Sequence, residues 1–192
     1  PPEPLTESEV MRLLKQISPD KRFIGPQRDR ALIVVLWRAQ LRIDEALSLK
    51  PSDFDPRRLT LRVLHGKGDR SRVAAIDARA ADELSRWLEI RARIPGVNGH
   101  RTIFCNGRAN KLAASHVRRT LKRLAAKAGL EKRVHAHGLR HTGASELVAE
   151  GMPLLDIQQQ LGHASAATTN AYLHTLDAGQ RTARMRSRTW GD

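Results

Sequence analysis

The stretch LTLRVLHGKGDRSRVAAI, residues 59–76, decides which kind of fold this sequence encodes. Two runs of strand-forming residues meet at Gly66 and Gly68, and the segment reads as two strands joined at those glycines. It is the one clear hairpin in the sequence; on either side, apolar residues recur at helical spacing. Upstream, Thr6 and Glu9 in PLTESEVMRLL have capping-box spacing, and Val10, Leu13, Leu14 and Ile17 supply an apolar stripe. RDRALIVVLWRAQ (28–40) predicts a core helix, RIDEALSL (42–49) a short one, and PSDFDPRR (51–58) a turn. Downstream, ARAADELSRWLEIRA (78–92) predicts an amphipathic helix, IPGVNGH a loop, and TIFC (102–105) a candidate edge strand.

From residue 114 the periodicity is helical throughout. ASHVRRTLKRLAAKAGL, HGLRHTGASELVAE, PLLDIQQQL and ATTNAYLH (167–174) each read as helices, the first three closed by Gly129, Gly151 and Gly162. The expected fold class is therefore mainly α with a small β-sheet (α+β), in one domain over residues 1–192. The chain starts at a proline without an initiator methionine or signal-peptide pattern, so it is expected to be the C-terminal part of something longer.

Charge bounds the partners. Lys and Arg number 34 against 20 Asp and Glu, a net +14, and such a field attracts polyanions, duplex nucleic acid first among them. Aromatic residues make up 4% of the chain, too few for a platform that stacks single-stranded bases. On the helix from 114, Val117, Leu121, Leu124 and Ala128 share one face, leaving Arg118, Arg119, Lys122 and Arg123 on the rest, either merely solvated or facing DNA. The longest apolar run, ALIVVLW (31–37), falls well short of the about 20 residues a bilayer span requires. A single cysteine, Cys105, fits an inert core thiol in a reducing compartment, and the expected location is cytoplasmic, on the nucleoid.

Several polar residues carry chemistry. Arg42 lies between Leu41 and Ile43, neighbours that point to burial, where a guanidinium needs an anion; Glu45, three residues on, is the alternative partner. His137 and Arg140 share a helix face and could hold a phosphate together. His135, His137 and His141 offer HxHxxxH, a competing zinc reading, without HExxH or a nearby acidic or cysteine ligand. Lys67 stands between the hairpin glycines, either solvated or reaching over a ligand; His163 follows Gly162, and Tyr172 is the sole tyrosine.

Taken in order, these residues resemble the tyrosine recombinase, or phage-integrase, family over nearly the whole chain. PLTESEV is similar to the opening of its catalytic domain, LRIDEALSL to its LRxxEL segment, and HGKGDRSRVAAI to its lysine hairpin. HGLRHTGAS is similar to its HxLRH box, and LGHASAATTNAYLH to its LGHxxxxTTxxY ending. The resemblance implies Arg42, Lys67, His137, Arg140 and His163 as the activating set, Tyr172 as nucleophile and Glu45 as a supporting acid. It implies attack on a duplex recombination site through a 3′-phosphotyrosine, with neither metal nor ATP and with no membrane partner. It also implies other protomers, four in a synaptic complex, with the basic tail 179–192 exchanged between them. Two departures stand out: Ala39-Gln40 occupy the place where the family often has Thr-Gly, and the family's N-terminal DNA-clamping domain is not in this sequence. A type IB topoisomerase-like relaxing enzyme, a non-catalytic basic DNA-binding module and a zinc hydrolase are the rival readings.

Overall fold

Thr6 opens a helix over Glu7–Lys15 (α1) as its spacing predicts: its hydroxyl accepts from the Glu9 N–H (3.2 Å), and the Glu9 carboxylate accepts from the Thr6 N–H (2.7 Å). The structure is a computed structural model that describes residues 3–18, 20, 22–64, 71–99 and 102–162. Lys67 and the hairpin tip around it, His163, Tyr172, the helix expected at 167–174 and the tail 179–192 lie outside these residues.

The second helix, α2 (Ile24–Arg38), starts four residues earlier than its apolar run implies. Pro26 sits in its first turn, where a missing N–H costs nothing. It stops at Arg38 because Gln40 takes a left-handed backbone, φ 48°. Ala31 to Trp37 are all buried, since α2 packs against α4 (Ala78–Arg91) on one side and α6 (Ala136–Ala149) on another. The short α3 (Ile43–Ser48) follows directly.

The two strands of the expected hairpin pair as read. Strands β2 (Thr60–Val63) and β3 (Arg72–Ala75) pair antiparallel, with Val63 opposite Arg72 and Leu61 opposite Ala74. Two expectations are corrected. The supposed turn at 51–58 supplies a third strand, β1 (Phe54–Asp55), which pairs Phe54 with Leu61, so the sheet runs β1-β2-β3. TIFC, in contrast, adds no strand to this sheet, and its β pairing is an isolated antiparallel bridge between Cys105 and Lys111. Ile103, Phe104 and Cys105 are fully buried, yet their backbone is served by helix and loop groups: the Trp87 indole donates to the Ile103 carbonyl, Arg91 to that of Thr102, and the Ile103 N–H to that of Leu49. Burial pushes the Cys105 thiol pKa up, in keeping with an inert core residue.

Two further helices complete the described chain, α5 (Ala114–Lys127) and α7 (Leu154–Leu161). Val117, Leu121 and Leu124 of α5 are buried, as the stripe predicts. Helix α7 packs along β3, the exposed edge of the sheet, and against α6. Among the described residues no helix is long and apolar enough to cross a membrane.

Candidate active site

The α2–α3 junction brings the first candidates together. Arg42 is the N-cap of α3 and Glu45 its third residue, so the helix start itself turns the Glu45 carboxylate back onto Arg42. Its oxygens accept from the Arg42 N–H (2.7 Å) and the Arg42 guanidinium (3.1 Å). Arg72, from β3, donates to the same carboxylate with both terminal nitrogens (2.9 and 3.0 Å), and Arg140 Nη1, from α6, stands 3.8 Å from it. Glu45 is thus buried among three guanidiniums from three elements.

Arg42 corrects an expectation. Its apolar neighbours implied burial, but a residue at a helix cap projects off the end of the helix, and its side chain is 47% exposed. Arg140 is the buried one, at 1% exposure. Its Nη1 donates to the Gln40 carbonyl (2.5 Å) and its Nη2 to the Leu161 carbonyl (2.8 Å), so the guanidinium ties the end of α2 to the end of α7. Gln40 is held in its strained conformation from several sides. Its amide nitrogen donates to the Trp37 and Arg38 carbonyls, two of the unpaired acceptors at the end of α2, and its amide oxygen accepts from Gln160 (2.9 Å). Gly143 of α6 faces this corner so closely that a Cβ there would lie 2.0 Å from the Trp37 carbonyl oxygen.

Helix α7 is fastened to the sheet by side chains. The Gln160 amide completes a strand-like pair with Ala75, accepting from its N–H (2.8 Å) and donating to its carbonyl (2.9 Å). Arg72 Nε donates to the Gln160 carbonyl (3.2 Å), and its side chain lies against Gly162, where a Cβ would approach Arg72 Cδ to 2.6 Å. Gly162 also closes α7 in a left-handed conformation, φ 63°, so two independent constraints favour glycine there.

Burial alone would raise the Glu45 pKa, but the Arg72 and Arg42 bonds outweigh it and hold the carboxyl below its ordinary value; it is ionised at neutral pH. His137 is exposed, one turn before Arg140. Partial desolvation, together with the charges of Arg140, His135 and Arg42, lowers its pKa, which leaves a neutral imidazole beside the arginines. The three histidines of HxHxxxH do not converge: the His135 and His137 rings are 6.4 Å apart, and His141 meets Ser145 instead. Among the described residues no group of three or more His, Cys, Asp or Glu could hold a metal ion. Arg118, Arg119, Lys122 and Arg123 are all exposed on α5. Arg118 and Lys122 line a groove with Arg133 and His135; Arg119 and Arg123 line another with His116 and Lys127.

Sequence reasoning missed Arg72, Gln40 and Gln160. Arg72 had a signal: it shares strand parity with Ala74 and Ile76, both buried, so it belongs to the inward face. Gln40 had one as well, in the departure of Ala39-Gln40 from the Thr-Gly that the resemblance leads one to expect there.

The chain matches the Phage integrase family over residues 3–178. A tyrosine recombinase XerA of Thermococcus kodakarensis is 38% identical over 174 residues, covering 89% of this chain and 57% of that protein. The crystal structure of a XerA recombinase is 32% identical with a TM-score of 0.84, covering 99% of this chain and 66% of that one. A XerH site-specific recombinase bound to palindromic difH substrate in a post-cleavage complex is 29% identical with a TM-score of 0.78, covering 95% of this chain and 52% of that one. The chain spans about half the length of the curated relatives it matches.

Proposed function

This chain belongs to the phage integrase family, and from that premise we propose that it is the catalytic domain of a site-specific DNA recombinase that cuts and rejoins strands through Tyr172. The observation that carries the reading is the meeting of Arg42 and Arg140 at Glu45, because in-line attack on a phosphodiester needs positive charge fixed at its non-bridging oxygens.

A phenol has a pKa of about 10, so its phenolate lies about 3 units away at pH 7, roughly 4 kcal/mol. Tyr172 therefore needs help from its surroundings. As its oxygen bonds to phosphorus, charge grows on the non-bridging oxygens, and Arg42 with Arg140 stabilises it preferentially in the transition state. By analogy with other oxyanion donors, losing either arginine costs on the order of 3 kcal/mol of barrier. Arg140 is enclosed by two carbonyls, so a phosphate reaches it by replacing at least one of those bonds. Neutral His137 accepts the phenolic proton, Lys67 gives a proton to the departing 5′ oxygen, and His163 donates to the phosphate. The products are a 3′-phosphotyrosyl enzyme and a free 5′ hydroxyl. One phosphoester replaces another, so attack by a second 5′ hydroxyl reverses the step without an external energy source.

The exposed cations on both flanks of α5 suit a duplex, with Arg118 and Lys122 toward one run of phosphates and Arg119 and Arg123 toward the other. The substrate of the proposed reaction is a double-stranded recombination site, paired with a second site through other protomers. The test is a nicked duplex that traps the intermediate. Tyr172→Phe should bind it and form no covalent adduct on a denaturing gel; an adduct from that variant would sink the assignment.

A further inference from the structure

We infer that Arg72 is a positioning residue of the cleavage site: as the counter-ion of Glu45, it leaves the charges of Arg42 and Arg140 available to the scissile phosphate. The inference rests on the reading of Arg42 and Arg140 as a phosphate clamp. Among the described residues Glu45 is the carboxylate paired with both arginines, and a buried carboxylate in contact with them competes with a phosphate for the same N–H groups. Arg72 changes that balance. Its side chain is only 10% exposed and gives the carboxylate two short bonds in the paired geometry that guanidinium favours, both shorter than the 3.8 Å approach of Arg140. Three guanidiniums then face one carboxylate, and the surplus lies on the pair closest to α6 and the α3 start.

Arg72 is fixed for this task by the sheet and by α7. Strand register directs it inward beside Ala74, opposite Val63, and its Nε holds the Gln160 carbonyl in the last turn of α7. The same side chain thus holds the carboxylate and sets where α7 ends. Glu45 meets Arg42 at the start of α3, Arg72 from β3 and Arg140 from α6.

Two measurements on the full chain separate this role from simple bracing. The first compares covalent adduct formation on nicked duplexes carrying either an ordinary scissile phosphate or a methylphosphonate, whose missing charge removes the need for the surplus. Arg72→Met should lose on the order of 10²-fold in rate on the phosphate and much less on the methylphosphonate. Equal losses on both, or wild-type cleavage, would overturn the role. The second follows the Glu45 carboxyl by carbon-13 NMR, assigned with Glu45→Gln. It should titrate below its ordinary value in the wild type and move up in Arg72→Met; an unmoved titration overturns the inference. If Arg72→Met does not fold, Arg72→Lys carries both measurements. It keeps the charge, so the Glu45 titration should stay low and the ratio of rates on the two substrates near wild type; selective loss on the phosphate with a low Glu45 would overturn the role. If the wild type itself forms no adduct, the recombinase reading fails, while the Glu45 titration still decides the charge pairing.

Discussion

Gly143→Ala sets two well-understood effects against each other, and the structure says which wins. In an isolated helix the substitution is favourable by about 1 kcal/mol, because alanine loses less backbone entropy than glycine. Here the new methyl would lie 2.0 Å from the Trp37 carbonyl oxygen, 2.8 Å from Gln40 Nε2 and 3.0 Å from Gln40 Cγ. The nearest atom is backbone of the central helix and cannot swing aside, so α6 must back away from α2. Overpacking costs about 1–3 kcal/mol where side chains can give way, and a backbone obstacle belongs at the top of that range. The net effect is a loss of about 2 kcal/mol, which in a chain of this length lowers Tm by roughly 4–8 °C. Urea unfolding with an unchanged slope measures it. Gly138→Ala is the internal comparison, for the three atoms nearest its methyl all belong to the His135 ring, the first at 2.8 Å, and a side chain can move. If Gly143→Ala proved as stable as the wild type, the close α2–α6 contact described above would be wrong.

Gln40→Gly should also destabilise, by about 1–2 kcal/mol in the same assay. Relief of the left-handed strain returns about 1 kcal/mol, but three bonds worth about 1 kcal/mol each, to Trp37, Arg38 and Gln160, are lost; a more stable variant would contradict this. For His137, desolvation and the neighbouring cations put its folded pKa below the ordinary 6.5. If its neutral form accepts the proton, the acid limb of adduct formation lies below pH 6.5, and His137→Gln abolishes that limb; a limb centred above 6.5 would count against His137 as the acceptor.

Much of this was legible in the sequence because it depends on local rules. Thr6 and Glu9 announce a capping box, Gly129 and Gly162 end helices, and the glycine-joined strand runs at 59–76 place the hairpin. Arg42, Glu45 and Arg140 were likewise named from motif and spacing. What escaped depends on tertiary partners. Phe54–Asp55 is too short to read as a strand until Leu61 and Thr60 pair with it. TIFC has strand composition, but its backbone groups are taken by Trp87, Arg91 and Leu49. Arg42 is exposed where burial was expected because flanking residues report on a helix face, whereas a cap points off the helix end.

The way Arg140 is buried bears on its proposed task. Arg28 is also buried, at 4% exposure, but two of its nitrogens grip Asp29 at 2.9 and 2.7 Å, so its charge is cancelled on the spot, and its contacts with the Cys105 carbonyl and His116 tie α2 to its neighbours. Arg140 is satisfied differently. Carbonyls of Gln40 and Leu161 accept from its N–H groups without neutralising them, and the carboxylate that approaches it, Glu45, is engaged more closely by Arg72. A neutral acceptor fills the hydrogen-bonding need that makes a buried guanidinium costly, yet leaves its field intact. Of these two buried arginines, Arg28 is committed to its ion pair and Arg140 is the one suited to receive a phosphate.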